Sequence, residues 1–291
     1  MSVEVRQRFT LPRGTAAFRF SGHSDRGAVR SVNEDSFLAR APLFVVADGM
    51  GGHAFGDRAS QAAIAAFTAG VRDGEPADPQ AVLDTIAHAN AAVVDLSADA
   101  DGIAISGTTL TGVAFVDVGG TQNYHWMAFN VGDSRTYAWD GRALAQLSVD
   151  HSAVQELVDL GRITKAEAER HPHRNVVTRA LGADDDVDAD IWLLPARARQ
   201  TFLLCSDGLT KELGDDEIAR IIVFHDGQAQ RGADDLSLAE RLVNAAVAAG
   251  GSDNVTVVVV ECELDDVLDA SEDTLERGSL PGVLEDTRPR G

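Results

Sequence analysis

Three runs of consecutive apolar residues meet an acid at one end, and this pattern limits the folds open to the chain more than any other feature. Leu43-Phe44-Val45-Val46-Ala47 leads into Asp48-Gly49, and Thr201-Phe202-Leu203-Leu204-Cys205 leads through Ser206 into Asp207-Gly208. Residues 255–260, all valine but one, follow Ser252-Asp253-Asn254. Short apolar runs bounded by turn formers read as buried strands, so each acid is expected at a strand end, the first two beside a sharp turn. Far apart in sequence, the three acids look arranged to meet in space. Hard oxygen ligands gathered in this way suit Mg²⁺ or Mn²⁺, and a pair of such ions is a phosphoester-cleaving device.

The remaining pattern supplies partners for those strands. Alternation near 17–21 and 37–39 predicts further strands, and alanine-rich helical spacing follows at 59–71 and 79–95, the second entered through Asp78-Pro79. Residues 108–116, 124–131 and 136–139 are β-branched and aromatic, with Gly119-Gly120 and Asp140-Gly141 as turn signals, which predicts an antiparallel meander. Short amphipathic pieces at 153–160 and 164–170 read as an insertion over the sheet, followed by strands at 189–194 and 201–205 and helices at 215–223 and 236–249. Strands and helices in this order predict a single α+β domain with two sheets and flanking helices. The expected organisation is one domain over 1–264, with a flap at about 150–182, and an acidic, disordered tail over 265–291.

Composition excludes some partners. The chain of 291 residues has a formal net charge of -21. From Glu263 onward nine acids and three arginines contribute -6, which leaves -15 for the body. Nucleic acid and anionic membranes both demand a cationic face, so neither is an expected partner. No apolar stretch approaches the roughly 20 residues a spanning helix needs, and residues 1–13 carry mixed charge without the apolar centre of a secretory signal. Cys205 and Cys262 are the two cysteines, both in strand-like apolar runs, and suggest no disulfide framework. A soluble, cytoplasmic, monomeric protein is the simple expectation.

Six Asp-Gly pairs occur, and an isolated one is ordinarily a turn. Only Asp48 and Asp207 follow continuous strand-like runs. Arginine is the second chemical signal, because its planar fork can grip two phosphoryl oxygens, and Arg30 stands shortly before Glu34 and Asp35. Asp133, in Gly132-Asp133-Ser134-Arg135, reads on its own as a strand-end turn acid bonded to backbone.

In combination these pieces become specific. Ser24-Asp25-x-Gly27-x-x-Arg30-x-x-Asn33-Glu34-Asp35, Asp48-Gly49-Met50-Gly51-Gly52-His53, Gly107-Thr108-Thr109, Gly132-Asp133-Ser134-Arg135, Ser206-Asp207-Gly208 and Ser252-Asp253-Asn254-Val255-Thr256 occur in order. Together they resemble the PPM family, the metal-dependent serine/threonine protein phosphatases of the 2C type, in its stand-alone bacterial form. The resemblance covers about 20–260. It implies a central antiparallel β-sandwich flanked by helices on both faces, a four-layer αββα arrangement, with the flap as an insertion.

The same resemblance implies hydrolysis of phosphoserine and phosphothreonine in proteins, opposing serine/threonine kinases, by a water or hydroxide bridging two Mg²⁺ or Mn²⁺ ions. Carried over by position, Asp48 bridges both ions, Asp207 and Asp253 complete the first, and the Gly49 carbonyl binds the second. Glu34 and Asp35 reach the second ion directly or through water, Arg30 takes the phosphoryl group, and Asp133 joins Asp207 at a third ion. Asn175 falls where some relatives supply another polar ligand. Converging carboxylates repel one another and resist ionisation, which independently favours a divalent cation among them. His53 is either a general acid or a histidine that bonds the glycine turn, since Met50 stands where many animal members have a histidine. Hydrolysis of small phosphoesters and a non-catalytic phosphoprotein-binding role are the alternatives; the complete set Asp48, Asp207 and Asp253 disfavours the second. The nucleophilic Asp-x-Asp-Gly pattern of haloacid dehalogenases is absent around Asp48.

Overall fold

In the computed structural model, residues 4–12, 14–51, 55–99, 106–120, 123–229 and 236–266 are described. In chain order they form β1 (Val5–Leu11), β2 (Gly14–Asp25), β3 (Asp35–Arg40), β4 (Leu43–Gly51), α1 (Gly56–Gly70), α2 (Pro79–Asp99), β5 (Ser106–Thr108) and β6 (Leu110–Asp117). They continue with β7 (Tyr124–Val131), β8 (Arg135–Trp139), β9 (Leu144–Gln146), α3 (Ala153–Asp159), α4 (Lys165–Ala168), β10 (Asp190–Pro195), β11 (Arg199–Cys205), α5 (Asp207–Glu212), α6 (Asp215–Ala229), α7 (Leu238–Ala249) and β12 (Val255–Asp266). One sheet has the order β1-β2-β12-β11-β8-β9 and the other β10-β7-β6-β4-β3, with β5 paired to the end of β4. Every ladder is antiparallel.

The apolar runs do not alternate because both faces of these strands are covered. In β4, Leu43, Val45 and Ala47 pack toward α1 and α2, whereas Phe44 and Val46 pack between the sheets. In β12, Val255, Val257 and Val259 face α6 and α7, and Val258 and Val260 face the opposite sheet. β11 divides in the same way, with Leu203 and Cys205 outward and Phe202 and Leu204 inward. The result is the expected four layers of helix, sheet, sheet and helix. Trp126 of β7 is fully buried at the centre, 6.1 Å from Phe18 and 4.9 Å from Phe202 of the facing sheet, by ring centroids.

Several expectations need correction. The meander is broken: β6 and β7 pair, but after Gly132 the chain crosses to the other sheet, where β8 pairs with β11 and β9. Gly132, at φ +102, takes the left-handed conformation this crossover requires. Asp48 does not end its strand at a sharp turn, because β4 continues through Gly51 and pairs with β5. Asp207 heads the short helix α5 rather than an isolated turn. The mixed-charge N-terminal stretch forms edge strand β1, with Phe9 buried. Strand β12 runs to Asp266, two residues past the expected domain end; the remainder of the proposed tail, 267–291, lies outside the described residues.

The flap carries α3 and α4, each with a side-chain cap: Ser152 accepts from the Gln155 amide, and Thr164 and Glu167 form a reciprocal capping box. Among the described residues no helix is long and apolar enough to cross a membrane.

Replacing Trp126 by alanine empties the aromatic contact between the sheets. Trp126→Ala is expected to cost ~3–5 kcal/mol, which calorimetry would record as a melting temperature lower by on the order of 10 °C. A shift below 2 °C would show that the sheets are not held there.

Candidate metal centre

The ends of β3, β4, β11 and β12 and the β7–β8 crossover bring five aspartates to one end of the sandwich. Asp35 and Asp48 are direct cross-strand partners. Asp133 follows the crossover glycine, Asp207 follows β11, and Asp253 precedes β12. Two close backbone approaches allow this convergence. A Cβ on Gly208 would collide with the Asn254 carbonyl oxygen, and one on Gly49 would collide with the carbonyls of Gly56 and Glu34. Neither obstacle is a flexible side chain that could move aside, so each position requires glycine.

Buried polar groups lock the arrangement. Asn254 accepts from the Glu34 amide at 2.9 Å and donates to the carbonyls of Arg26 and Val32, each at 2.9 Å. It thereby ties the loop that carries Arg30 to the turn that carries Asp253. Ser206 donates to Asp35 Oδ2 at 2.7 Å and accepts from the Thr256 amide at 3.0 Å. Thr109 Oγ1 accepts from the Asp48 amide at 3.0 Å and shares a 2.7 Å bond with Ser134, linking Asp48 to the crossover beside Asp133. These hydroxyls and the amide were visible in the sequence only as letters within motifs.

The electrostatics are those of a crowded acidic site. Burial pushes Asp35 up to about 7, against hydrogen bonds from Ser206 and Thr256, with Asp207 and Asp253 adding repulsion. Asp133 is likewise pushed up to about 7, by burial and then by Asp207 and Asp150. Asp48 is raised well above the ordinary carboxylate value by burial, then by Asp35, Asp207 and Asp133. Asp207 is raised by burial in spite of Lys211. Glu34 is raised by burial in spite of Arg30. Asp253 behaves oppositely: burial acts to raise it, but Lys211, the Asn254 amide and Arg30 together hold it below the ordinary value.

Two cations that the resemblance does not place on these acids stand among them. Lys211, one turn into α5, has its Nζ 2.5 Å from Asp207 Oδ2 and 2.7 Å from Asp253 Oδ2. Arg30 lays its Nε 2.8 Å from Asp253 Oδ1 and donates from Nη2 to Oδ2 at 2.9 Å. Among the described residues, no three acidic, histidine or cysteine side chains are gathered so as to hold an ion as they stand. The donor set nevertheless suits a hard divalent cation: it is all oxygen, and the buried atoms Asp35 Oδ1 and Asp207 Oδ1 have no hydrogen-bond partner. Lys211 is the residue that reading the motifs missed. Its signal was an Asp-Lys pair four residues apart, visible once Asp207 is seen to start a helix.

The other expected positions divide. Glu34 lies beside the centre, with its carbonyl accepting from the Gly49 amide at 3.1 Å. Asn175 is exposed in the flap. His53 lies outside the described residues. The flap is tied to the crossover through His151, whose Nδ1 accepts from the Gly132 amide at 3.0 Å, and through Asp150, which takes Arg135 in a two-pronged pair at 2.6 to 3.0 Å. Burial pushes both the Cys205 and Cys262 thiols up to about 12, which leaves no thiolate for nucleophilic catalysis near neutral pH.

Comparison with known proteins gives a consistent picture. The family model described as protein phosphatase 2C matches residues 22–245. The serine/threonine protein phosphatase PstP of Mycobacterium tuberculosis is 41% identical over 256 residues, 86% of this chain and 46% of that protein, so this chain spans about half the length of that relative. The serine/threonine phosphatase stp of Listeria monocytogenes is 34% identical over 252 residues, covering 83% of this chain and 94% of its own. Among solved structures, M. tuberculosis PstP/Ppp superposes with a TM-score of 0.72 at 38% identity, covering 84% of this chain and 97% of its own. The catalytic domain of PstP in complex with 2 manganese ions gives 0.71 at 35% identity, covering 85% and 99%.

The raised carboxyls carry a pH signature. A carboxyl whose folded-state value lies above its unfolded one, near 3.8, holds its proton more tightly when folded, so stability is greatest below the unfolded value and is lost as pH rises through the folded one. In chelator, the melting temperature should therefore fall from about pH 5 to pH 8, by roughly 5–10 °C at ~2–4 °C per kcal/mol. Asp35→Asn should flatten the slope. A profile identical in wild type and Asp35→Asn would contradict the raised value.

Proposed function

Because this chain belongs to the protein phosphatase 2C family, we propose that it is a metal-dependent phosphatase of phosphoserine and phosphothreonine in proteins. The observation that carries this reading is the convergence of Asp35, Asp48, Asp133, Asp207 and Asp253, with buried oxygens left unpaired, at one end of the sandwich. Asp48, central to the mutual repulsion, is assigned as the bridging ligand, Asp207 and Asp253 to the first ion, and the Gly49 carbonyl with Glu34 and Asp35 to the second. Asp133, whose carboxyl is raised by the nearby Asp207, is assigned to a third. Mg²⁺ or Mn²⁺ ions held by these residues would supply charge neutralisation and an activated water for attack on phosphorus.

The chain's own residues do the positioning. Arg30 is half-exposed and already grips a carboxylate through two nitrogens, a geometry that a phosphoryl group reproduces. Exchange of Asp253 for phosphate would draw substrate to the rim of the acidic end. Asn254 fixes the approach of that loop, and Ser206 and Thr109 orient Asp35 and Asp48. The flap, anchored by His151 and Asp150 beside Asp133, is placed to touch the protein part of a substrate. The two buried, unpaired cysteines are in keeping with a reducing compartment, and we assign the protein to the cytoplasm, acting on the products of serine/threonine kinases.

With Mn²⁺ or Mg²⁺, the purified protein should release phosphate from a phosphothreonine peptide, and Asp48→Asn should lower the rate by ~10²–10³-fold or more while the melting curve persists. Folded wild type that is inactive with both metals would overturn the enzymatic reading. Turnover of a small aryl phosphate without any of the peptide would instead make it a small-phosphoester hydrolase.

A further inference from the structure

Lys211 holds a place that a metal ion would need. Its nitrogen lies 2.5 Å and 2.7 Å from one oxygen each of Asp207 and Asp253, the two acids assigned above to the first ion. A Mg²⁺ ion sits about 2.0–2.1 Å from its oxygen ligands, so an ion shared by the same two oxygens and the ammonium would claim the same point. Two positive charges cannot share it. On Asp253 the other oxygen is also taken, since Oδ1 is engaged by Arg30 and by the Asn254 amide, which leaves Asp207 Oδ1 as the one unpaired oxygen of the two acids.

The residue type suits the place. Lys165 and Lys211 are the two lysines of a chain that otherwise draws its 25 cationic side chains from arginine. An ammonium is a compact point charge on a flexible four-carbon stem, closer in shape to a spherical ion than a planar guanidinium. The Lys211 side chain is 28% exposed, so a path out to solvent exists. The pairs it makes offset part of the repulsion among the aspartates, which a chain without bound metal must otherwise bear.

We propose that Lys211 is a tethered counter-ion that competes with the first metal ion for Asp207 and Asp253, stabilising the metal-free protein and raising the metal concentration needed to load the centre. This rests on the reading of those aspartates as metal ligands. Entry of the ion breaks both lysine pairs and sends the side chain toward solvent. No covalent step is involved; the exchange is one cation for another.

Two lysines make the test direct. In protein labelled with ¹³C at lysine Cε, with the Lys165 signal assigned by Lys165→Arg, titration with diamagnetic Mg²⁺ should move the Lys211 signal along a saturating curve and leave the flap lysine in place. By calorimetric titration with Mn²⁺, Lys211→Met should bind on the order of tenfold more tightly than wild type, since charge-assisted pairs no longer have to be broken. In chelator the same variant should melt lower. A Lys211 signal unmoved at Mg²⁺ saturation, or equal Mn²⁺ affinity in wild type and Lys211→Met, would overturn the proposal and leave the metal centre intact. If neither protein takes up Mn²⁺, the metal reading fails and this inference with it. Should Lys211→Met not fold, the Mg²⁺ titration of wild type still decides.

Discussion

Repulsion among five aspartates at one end of the sandwich is the constraint to which the rest of the site answers. Burial alone would force protons onto several of them, and their proximity adds to that pressure. The protein counters it unevenly. Asp253 is held below the ordinary value by Lys211 and Arg30, whereas Asp207, Asp48 and Asp133 stay raised although Lys211 opposes it, and Asp35 has no cation among its main influences. Charge is therefore balanced on the side of β12 and left in deficit on the side of β3 and β4, where divalent cations would do most to relieve it.

The scaffold that tolerates this crowding is stiff for a different reason. The strands delivering the acids are covered on both faces, so their ends cannot shift without disturbing three apolar layers. Gly208 against Asn254 and Gly49 against Gly56 then let backbone approach backbone where side chains would keep the turns apart. Asn254, Ser206 and Thr109 satisfy the polar groups exposed by those approaches. The flap is fastened to the same crossover that carries Asp133, through His151 and Asp150.

Much of this was legible beforehand, for identifiable reasons. Runs such as 43–47 and 255–260 are too apolar for any surface, and the ordered motifs from Ser24 to Thr256 are specific together although weak apart. What escaped was set by neighbours distant in sequence. Strand β1 exists because β2 offers it an edge, not because its mixed-charge residues call for one. The break between β7 and β8 follows from Gly132 turning against Thr109, and a strand periodicity of two gives no hint of which sheet receives the next strand. The extension of β4 past Asp48 depends on β5 lying alongside it.

The sequence by itself determined which acids would be grouped, that their strands would be buried, and the family the chain belongs to, because these depend on residue identity and local order. Only the tertiary structure decided where the countercharges lie. Lys211 is four residues from Asp207 but 42 from Asp253, and Arg30 is 223 from the carboxylate it grips. Charge acts through distance in space, and that distance is not defined until the two sheets have packed.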